Sequence, residues 1–313
     1  MSATVAIGAD LGGTKLLVGA VDSEQHVLHR GQEPSHGRTG EQVLETLESE
    51  VLQALETRPE AVAVGVGIPA TIDHGRGIAI SAVNLPIVNV PIRDRLRERI
   101  SLPVYVDNDA NTAALAEYLY GAGTGTRNMI MLTIGTGIGG GLILEGKVYR
   151  GSIGAGAELG HLPIDLDGPP CQGNCPNRGC IETFASGTAL ARDGREAAAR
   201  APDSALGRLA ASGEEISGRA VTAAAIAGDE VACDLVSRAG RRLGVALSGY
   251  ANIFDPDLIV IGGGVSAVGD LMLDPAREEL RSRALPPMNQ TPVVVAKLGA
   301  DAGMIGAAAM AIT

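Results

Sequence analysis

The densest concentration of reactive side chains lies at 158–182, which reads ELGHLPIDLDGPPCQGNCPNRGCIE. Its cysteines follow the spacing Cys171-x3-Cys175-x4-Cys180, and His161 stands upstream of them. Three thiolates and an imidazole are the donor types that a tetrahedral Zn2+ takes. Four protein ligands close the shell, so such a zinc would be structural rather than a Lewis acid. The plainer reading is three unpaired buried thiols, but a loop rich in Gly, Pro and Asn offers no core to bury them in. Glu158 and Glu182 bracket the loop, and His161 has a second ring nitrogen for another partner.

Three glycine-rich stretches follow apolar runs: DLGGTK (10–15), GTGIGGG (135–141) and GGG (262–264). Without Cβ atoms, such turns let backbone N–H groups approach phosphate oxygens. None has the spacing of a P-loop. GTGIGG at 135–140 has dinucleotide-fingerprint spacing, but a strand pattern rather than a helix pattern follows it. Three such turns, the first opened by Asp10 at a strand end, point to nucleotide phosphates. NDAN (108–111) follows the strand pattern VYVD and opens a helix pattern. Asp109 there is either a helix N-cap or a carboxylate presented to a ligand.

The elements that must carry these groups are legible from periodicity. Apolar runs predict strands at 5–10, 15–22, 61–69, 101–109, 128–134, 142–149, 257–266 and 292–299. Helices are predicted at about 40–57, 110–121, 182–198, 219–227, 229–253 and 300–312. The plan of strand, Gly turn and strand at 5–22 recurs at 128–149, which reads as an internal duplication with one phosphate-facing hairpin per half. Mixed strands and helices without a linker imply α/β layers.

Composition excludes several classes of function. The 313 residues are enough for two domains, and 45% hydrophobic with 19% charged residues is ordinary for a globular enzyme. The net charge of −11 opposes a nucleic-acid surface. No signal-like segment opens the chain and no apolar run is long enough to span a bilayer. Four cysteines, three at metal-like spacing and Cys233 alone in a helix pattern, suggest a reducing, cytoplasmic setting. No role follows for Cys233.

Taken in order, DLGGTK, NDAN, GTGIGGG, ELGH (158–161), GCIE (179–182) and LGADAGMIGAA (298–308) resemble the ROK family of bacterial sugar kinases and sugar-responsive regulators. The resemblance runs essentially end to end. It implies a two-domain actin-like ATPase fold of the hexokinase type with a zinc-binding loop. An N-terminal α/β domain would span 1–120, with the C-terminal helix 300–313 packing back onto it. A larger C-terminal α/β domain would span 121–299 and carry the zinc knuckle 161–180.

The same resemblance implies an ATP-dependent hexose kinase, most similar to glucokinases that phosphorylate O6 of glucose, with Asp109 as general base. Asp10 would orient Mg2+ through water, and Gly12, Gly13 and Thr14 would contact phosphates. Thr136 and Gly137 would donate from the second hairpin, and Gly263 would lie near the adenosine. Sugar contacts would come from Asn84, Asn108, Asp109, Glu158, His161 and Glu182. With no Trp, two Phe and five Tyr, a sugar site here leans on hydrogen bonds more than on stacking. The knuckle is expected to support sugar binding more than nucleotide binding, and a dimer or tetramer is expected.

The sequence departs from the family at two places. Pro86-Ile87-Val88 stands where a Gly-Trp pair is common after the N-L-P segment, and the cysteine spacing is looser than C-x-C-G-x-x-G-C. A kinase for N-acetylmannosamine or another hexose is the nearest alternative, but Ala70-Thr71 occupies the turn where an Arg is expected in the N-acetylmannosamine kinases. A transcriptional regulator of the family would carry a DNA-binding extension before the first Gly loop. That loop begins here at residue 10, and the charge is acidic.

Overall fold

The structure, a computed structural model, describes residues 3–82 and 85–313. Its first half contains β1 (Val5–Leu11), β2 (Lys15–Asp22), β3 (Val27–Pro34), α1 (Gly40–Thr57), β4 (Val64–Ile68), β5 (Ala70–Asp73), β6 (Ile78–Ala82), β7 (Val88–Val90), α2 (Ile92–Arg97), β8 (Val104–Asn108), α3 (Asp109–Tyr120), β9 (Met129–Ile134), β10 (Ile138–Leu144) and β11 (Lys147–Val148). The second half adds α4 (Glu182–Ala185), α5 (Gly187–Arg200), α6 (Ala205–Ala211), α7 (Gly218–Ile226), α8 (Glu230–Phe254), β12 (Leu258–Gly262), α9 (Asp270–Arg283), β13 (Val293–Val295) and α10 (Ala302–Ile312).

Two five-stranded sheets share one plan. The first has the order β3-β2-β1-β4-β8, antiparallel through β3, β2 and β1 and parallel from β1 through β4 to β8. The second has the order β11-β10-β9-β12-β13, with β10 and β11 antiparallel and β9, β12 and β13 parallel. The duplication read from two hairpins therefore extends to whole sheets. A small antiparallel sheet, β5-β6-β7, is separate.

The chain forms two compact units. One comprises the residues up to Gly125 together with Gly141–Ala157 and Lys297–Thr313; the other comprises Thr126–Gly140 and Glu158–Ala296. In the first unit, β1 and β4 are buried nearly throughout, as expected of strands covered on both faces. Helix α1 is opened by a capping box, in which the Thr39 hydroxyl accepts from Gln42 N and the Gln42 side chain accepts from Thr39 N. It buries Val43, Leu44, Leu47, Val51 and Ala54 on one stripe.

Helix α10, AGMIGAAAMAI, packs on β1, β4 and α3 within this unit. A Cβ on Gly65 of β4 would overlap the Ala307 carbonyl, and one on Gly306 would overlap the Thr112 carbonyl. Backbone here lies against backbone, which only glycine permits. In the second unit, α8 and α9 meet in the same way, with Gly240 and Gly244 facing the carbonyls of Met272 and Ala276.

The structure corrects several predicted boundaries. The strand expected at 142–149 is two strands: β10 runs Ile138–Leu144 and β11 follows a turn at 145–146, so residues 139–141 lie within β10 and the glycine turn shrinks to 135–137. The helix expected over 182–198 breaks at Ser186, whose hydroxyl caps α5 by accepting from Ala189 N at 3.1 Å. Strand β3 has a mostly polar, surface composition, and α9 contains Pro275, a helix-breaking signal; neither was expected. Among the described residues, no helix is long and apolar enough to cross a membrane.

The contact between α10 and β4 yields a direct test. Gly65→Ala forces a methyl into a carbonyl oxygen that cannot rotate away, an overpacking cost of about 1–3 kcal/mol. The midpoint of thermal unfolding, followed by circular dichroism, should fall by several degrees. An unchanged midpoint would mean that α10 does not pack here.

Candidate functional site

In the first unit, the loop between β1 and β2 is closed by Gly12 N donating to Lys15 O at 2.8 Å. Ser35, buried at the end of β3, fastens this loop from outside: its hydroxyl donates to Gly12 O at 2.7 Å and its N–H donates to Thr14 O at 3.1 Å. Gly12, Gly13 and Thr14 are thereby held at the end of the strand that carries Asp10. The sequence offered no cue to Ser35, because its partners lie across a hairpin and a strand.

The β8–α3 junction supplies the acidic group. Asn108, not Asp109, is the N-cap of α3, and its side-chain oxygen accepts from Ala110 N at 2.9 Å and Asn111 N at 3.2 Å. Its amide nitrogen donates to Ala70 O at 3.3 Å. The capping reading of Asp109 is thus corrected: Asp109 is the first residue inside the helix, with Oδ1 accepting from Ala110 N at 2.9 Å. A carboxylate in the first turn also benefits from the helix dipole.

Behind this junction lies an ion pair between a buried Asp107 and a partly exposed Arg150. Asp107 Oδ1 accepts from Asn108 N at 2.8 Å and from Asn111 Nδ2 at 3.0 Å, while Oδ2 accepts from Arg150 Nε at 2.7 Å. Asp107 is 3% exposed, so this carboxylate is costly to bury without Arg150 and fixes the backbone on which Asn108 and Asp109 sit. Neither Asp107 nor Arg150 was singled out by sequence.

Asp10 shares the unit with Asp109, and its pKa is raised from 3.8 to about 7. Burial is the main cause, the Asp109 charge adds to it, and Lys15 opposes both. Gly303 of α10 closes one side, since a Cβ there would strike the Asp10 carboxyl group. Two carboxyl groups in one electrostatic field suit a site whose natural complement is a cation.

In the second unit, the 135–137 turn is closed by Gly135 N donating to Gly137 O at 2.9 Å. Glu182, 8% exposed, accepts from Ile138 N through Oε2 at 2.6 Å. A Cβ on Gly137 would collide with that same carboxylate. Gly263 has φ 84° and sits over Ile134, at the start of the bend after β12.

His161, Cys171, Cys175 and Cys180 converge as a four-ligand cluster, with donor atoms all within 4.8 Å of one another. His161 Nδ1 is 3.3 Å from Cys171 Sγ, and Cys175 Sγ is 3.9 Å from Cys180 Sγ. Tetrahedral thiolates at about 2.3 Å from zinc stand about 3.8 Å apart, so the donor types and the Cys175–Cys180 spacing fit that metal. The other ring nitrogen of His161, Nε2, is 4.0 Å from the Glu158 carboxylate, which is half exposed.

Asn84, expected in the sugar site, lies outside the described residues. The other expected residues fall into two groups. Asp10, Gly12, Gly13, Thr14, Asn108 and Asp109 belong to the first unit; Thr136, Gly137, Glu158, His161, Cys171, Cys175, Cys180, Glu182 and Gly263 belong to the second.

The raised Asp10 pKa has a consequence for stability. Between pH 3.8 and about 7 the folded protein holds a proton that the unfolded chain has lost, so stability falls as pH rises through that window. Asp10→Asn removes this penalty. In thermal melts without added magnesium or nucleotide, the variant should match wild type near pH 4 and exceed it by several degrees at pH 8. Parallel curves across that range would contradict the raised value.

Residues 6–313 match the pattern of the ROK family. The glucokinase of Streptomyces coelicolor is 39% identical over 311 residues, covering 97% of this chain and 96% of that protein. The glucokinase of Thermotoga maritima is 38% identical over 306 residues, again 97% and 96% of the two chains. The crystal structure of a ROK family glucokinase from Streptomyces griseus, in complex with glucose and AMPPNP, superposes with a TM-score of 0.88 at 37% identity, covering 98% of this chain and 99% of that one. Duplicated sheets, paired glycine hairpins and the Cys/His cluster thus accompany a similarity that spans nearly the whole chain, which belongs to the ROK family and has the actin-like ATPase fold of its glucokinases.

Proposed function

We propose that this chain is an ATP-dependent hexose kinase, and specifically a glucokinase that transfers the γ-phosphoryl group of ATP to O6 of glucose. Near-full-length similarity to glucokinases is the observation that carries the reading. Phosphoryl transfer requires a base at the attacking hydroxyl, donors around the phosphates and charge neutralisation. Asp109, backed by Asp107 and Arg150, takes the proton of the sugar hydroxyl as its oxygen attacks the γ-phosphorus, and ADP leaves.

Gly12, Gly13, Thr14, Thr136 and Gly137 would offer backbone and hydroxyl donors to the phosphates, and Gly263 would lie near the adenosine. Asp10 is the residue that would hold Mg2+ through water, the metal supplying neutralisation of the phosphate charge. Asn84, Asn108, Glu158, His161 and Glu182 match the family's sugar contacts. His161, Cys171, Cys175 and Cys180 would hold a structural Zn2+ that shapes the loop between Glu158 and Glu182. A cytoplasmic setting suits both the ATP requirement and the four unbridged thiols.

A panel of hexoses with ATP, read by coupled ADP release and by identification of the product, tests the reading. Glucose should give glucose 6-phosphate, and 6-deoxyglucose should give no turnover. A preference for N-acetylmannosamine, or turnover with none of the hexoses, would contradict it. Asp109→Asn should lower kcat by about 100- to 10,000-fold and leave the sugar Kd nearly unchanged, since shape is kept and only the proton acceptor is lost. Retention of more than about a tenth of wild-type kcat would remove Asp109 from the role of base.

A further inference from the structure

The second glycine turn is not self-supporting. Its own closure is one backbone hydrogen bond, Gly135 N to Gly137 O at 2.9 Å. Further support for residues 135–138 comes from the segment that follows Cys180. Glu182 Oε2 accepts from Ile138 N at 2.6 Å. Gly187 N donates to Gly135 O at 2.8 Å, Thr188 N donates to Thr136 O at 3.2 Å, and the Thr188 hydroxyl donates to the same oxygen at 2.8 Å.

From these contacts we infer that Glu182 and Thr188 form a clamp that sets the geometry of the second phosphate-facing turn, making Glu182 a positioning residue for nucleotide in addition to any contact with sugar. The clamp works from both sides of the peptide chain. Glu182 fixes the N–H of Ile138, while Thr188 fixes the carbonyl of Thr136, so the peptide planes between them cannot rotate independently. A charged acceptor on a buried N–H is among the stronger hydrogen bonds a protein makes. The bond also explains why residue 137 must be glycine, since a Cβ there would occupy the place of the Glu182 carboxylate.

Glu182 begins α4 two positions after Cys180, so the Cys/His loop ends in the part that braces the turn. The sequence expectation that this loop serves sugar more than nucleotide is thereby widened. One oxygen of Glu182 is committed to the turn, and the other can still face a sugar hydroxyl.

This inference rests on the proposed nucleotide role of the second turn, and the experiment separates the two. Affinity for the nonhydrolysable analogue AMPPNP with magnesium is measured by calorimetry in the absence of any sugar. Wild type, Glu182→Ala, Glu182→Gln and Thr188→Val are compared, with metal content and circular dichroism as checks of the fold. Amide hydrogen exchange over residues 135–141 is followed in the same proteins without ligand.

Glu182→Ala should raise the AMPPNP Kd about tenfold and speed exchange over the turn. Glu182→Gln, which keeps an acceptor oxygen, should stay within about threefold of wild type. Thr188→Val, at an exposed side chain, should fold normally and show faster exchange with a several-fold weaker Kd; it decides the matter if Glu182→Ala does not fold. Failure of wild type to bind AMPPNP would overturn the nucleotide reading itself. Binding by wild type with unchanged Kd and exchange in Glu182→Ala and Thr188→Val would overturn the clamp and leave Glu182 as a sugar contact only.

Discussion

The close approach of α10 to β4 and α3, backbone against backbone, is the constraint on which the first unit depends. Gly65 and Gly306 let carbonyl groups lie where Cβ atoms would otherwise stand, so α10 touches β4 and α3 through backbone. At these two glycines no flexible side chain can absorb error, and the interior is dense enough to transmit displacement. Asp10, one residue from the end of β1, lies under the same helix, with Gly303 against its carboxyl group. The position of the carboxylate proposed to serve Mg2+ is therefore set by a helix near the other end of the sequence.

Electrostatics supply the second level of order. Asp109 is oriented by a junction of three cooperating side chains. Asn108 caps the helix, Asp107 accepts from Asn108 N and the Asn111 amide, and Arg150 balances the Asp107 charge. Removing Arg150 would leave a buried charge unpaired next to the proposed base, a larger disturbance than loss of one contact. Asp10 is different: burial raises its pKa to about 7, and the Asp109 charge adds to the shift.

Local signals made much of this legible in the sequence. Thr39 and Gln42 sit at capping-box spacing, and the helix they start is found over 40–57 as expected. The glycine turns, the duplicated hairpins and the Cys/His cluster are likewise encoded within short stretches. What escaped was set by distance along the chain. Asp107 and Arg150 are 43 positions apart, and Ile138 and Glu182 are 44 apart, so no periodicity links either pair. The glycine triplet at 139–141 looked like turn because glycine is a turn residue. It is strand because β10 pairs between β9 and β11, and Gly141 is glycine because a side chain there would collide with Ala110 and Ala114 of α3.

Gly303→Ala tests the dependence of the site on α10 most directly. The new methyl group would strike the Asp10 carboxyl, while the helix itself gains about 0.5–1 kcal/mol in propensity. Steady-state phosphorylation of glucose, measured across magnesium concentrations beside a thermal melt, separates the two effects. The account predicts a fold that melts within a few degrees of wild type, a kcat lower by about 10- to 100-fold and a raised magnesium requirement. Wild-type kcat and magnesium dependence in a fully folded Gly303→Ala protein would contradict it.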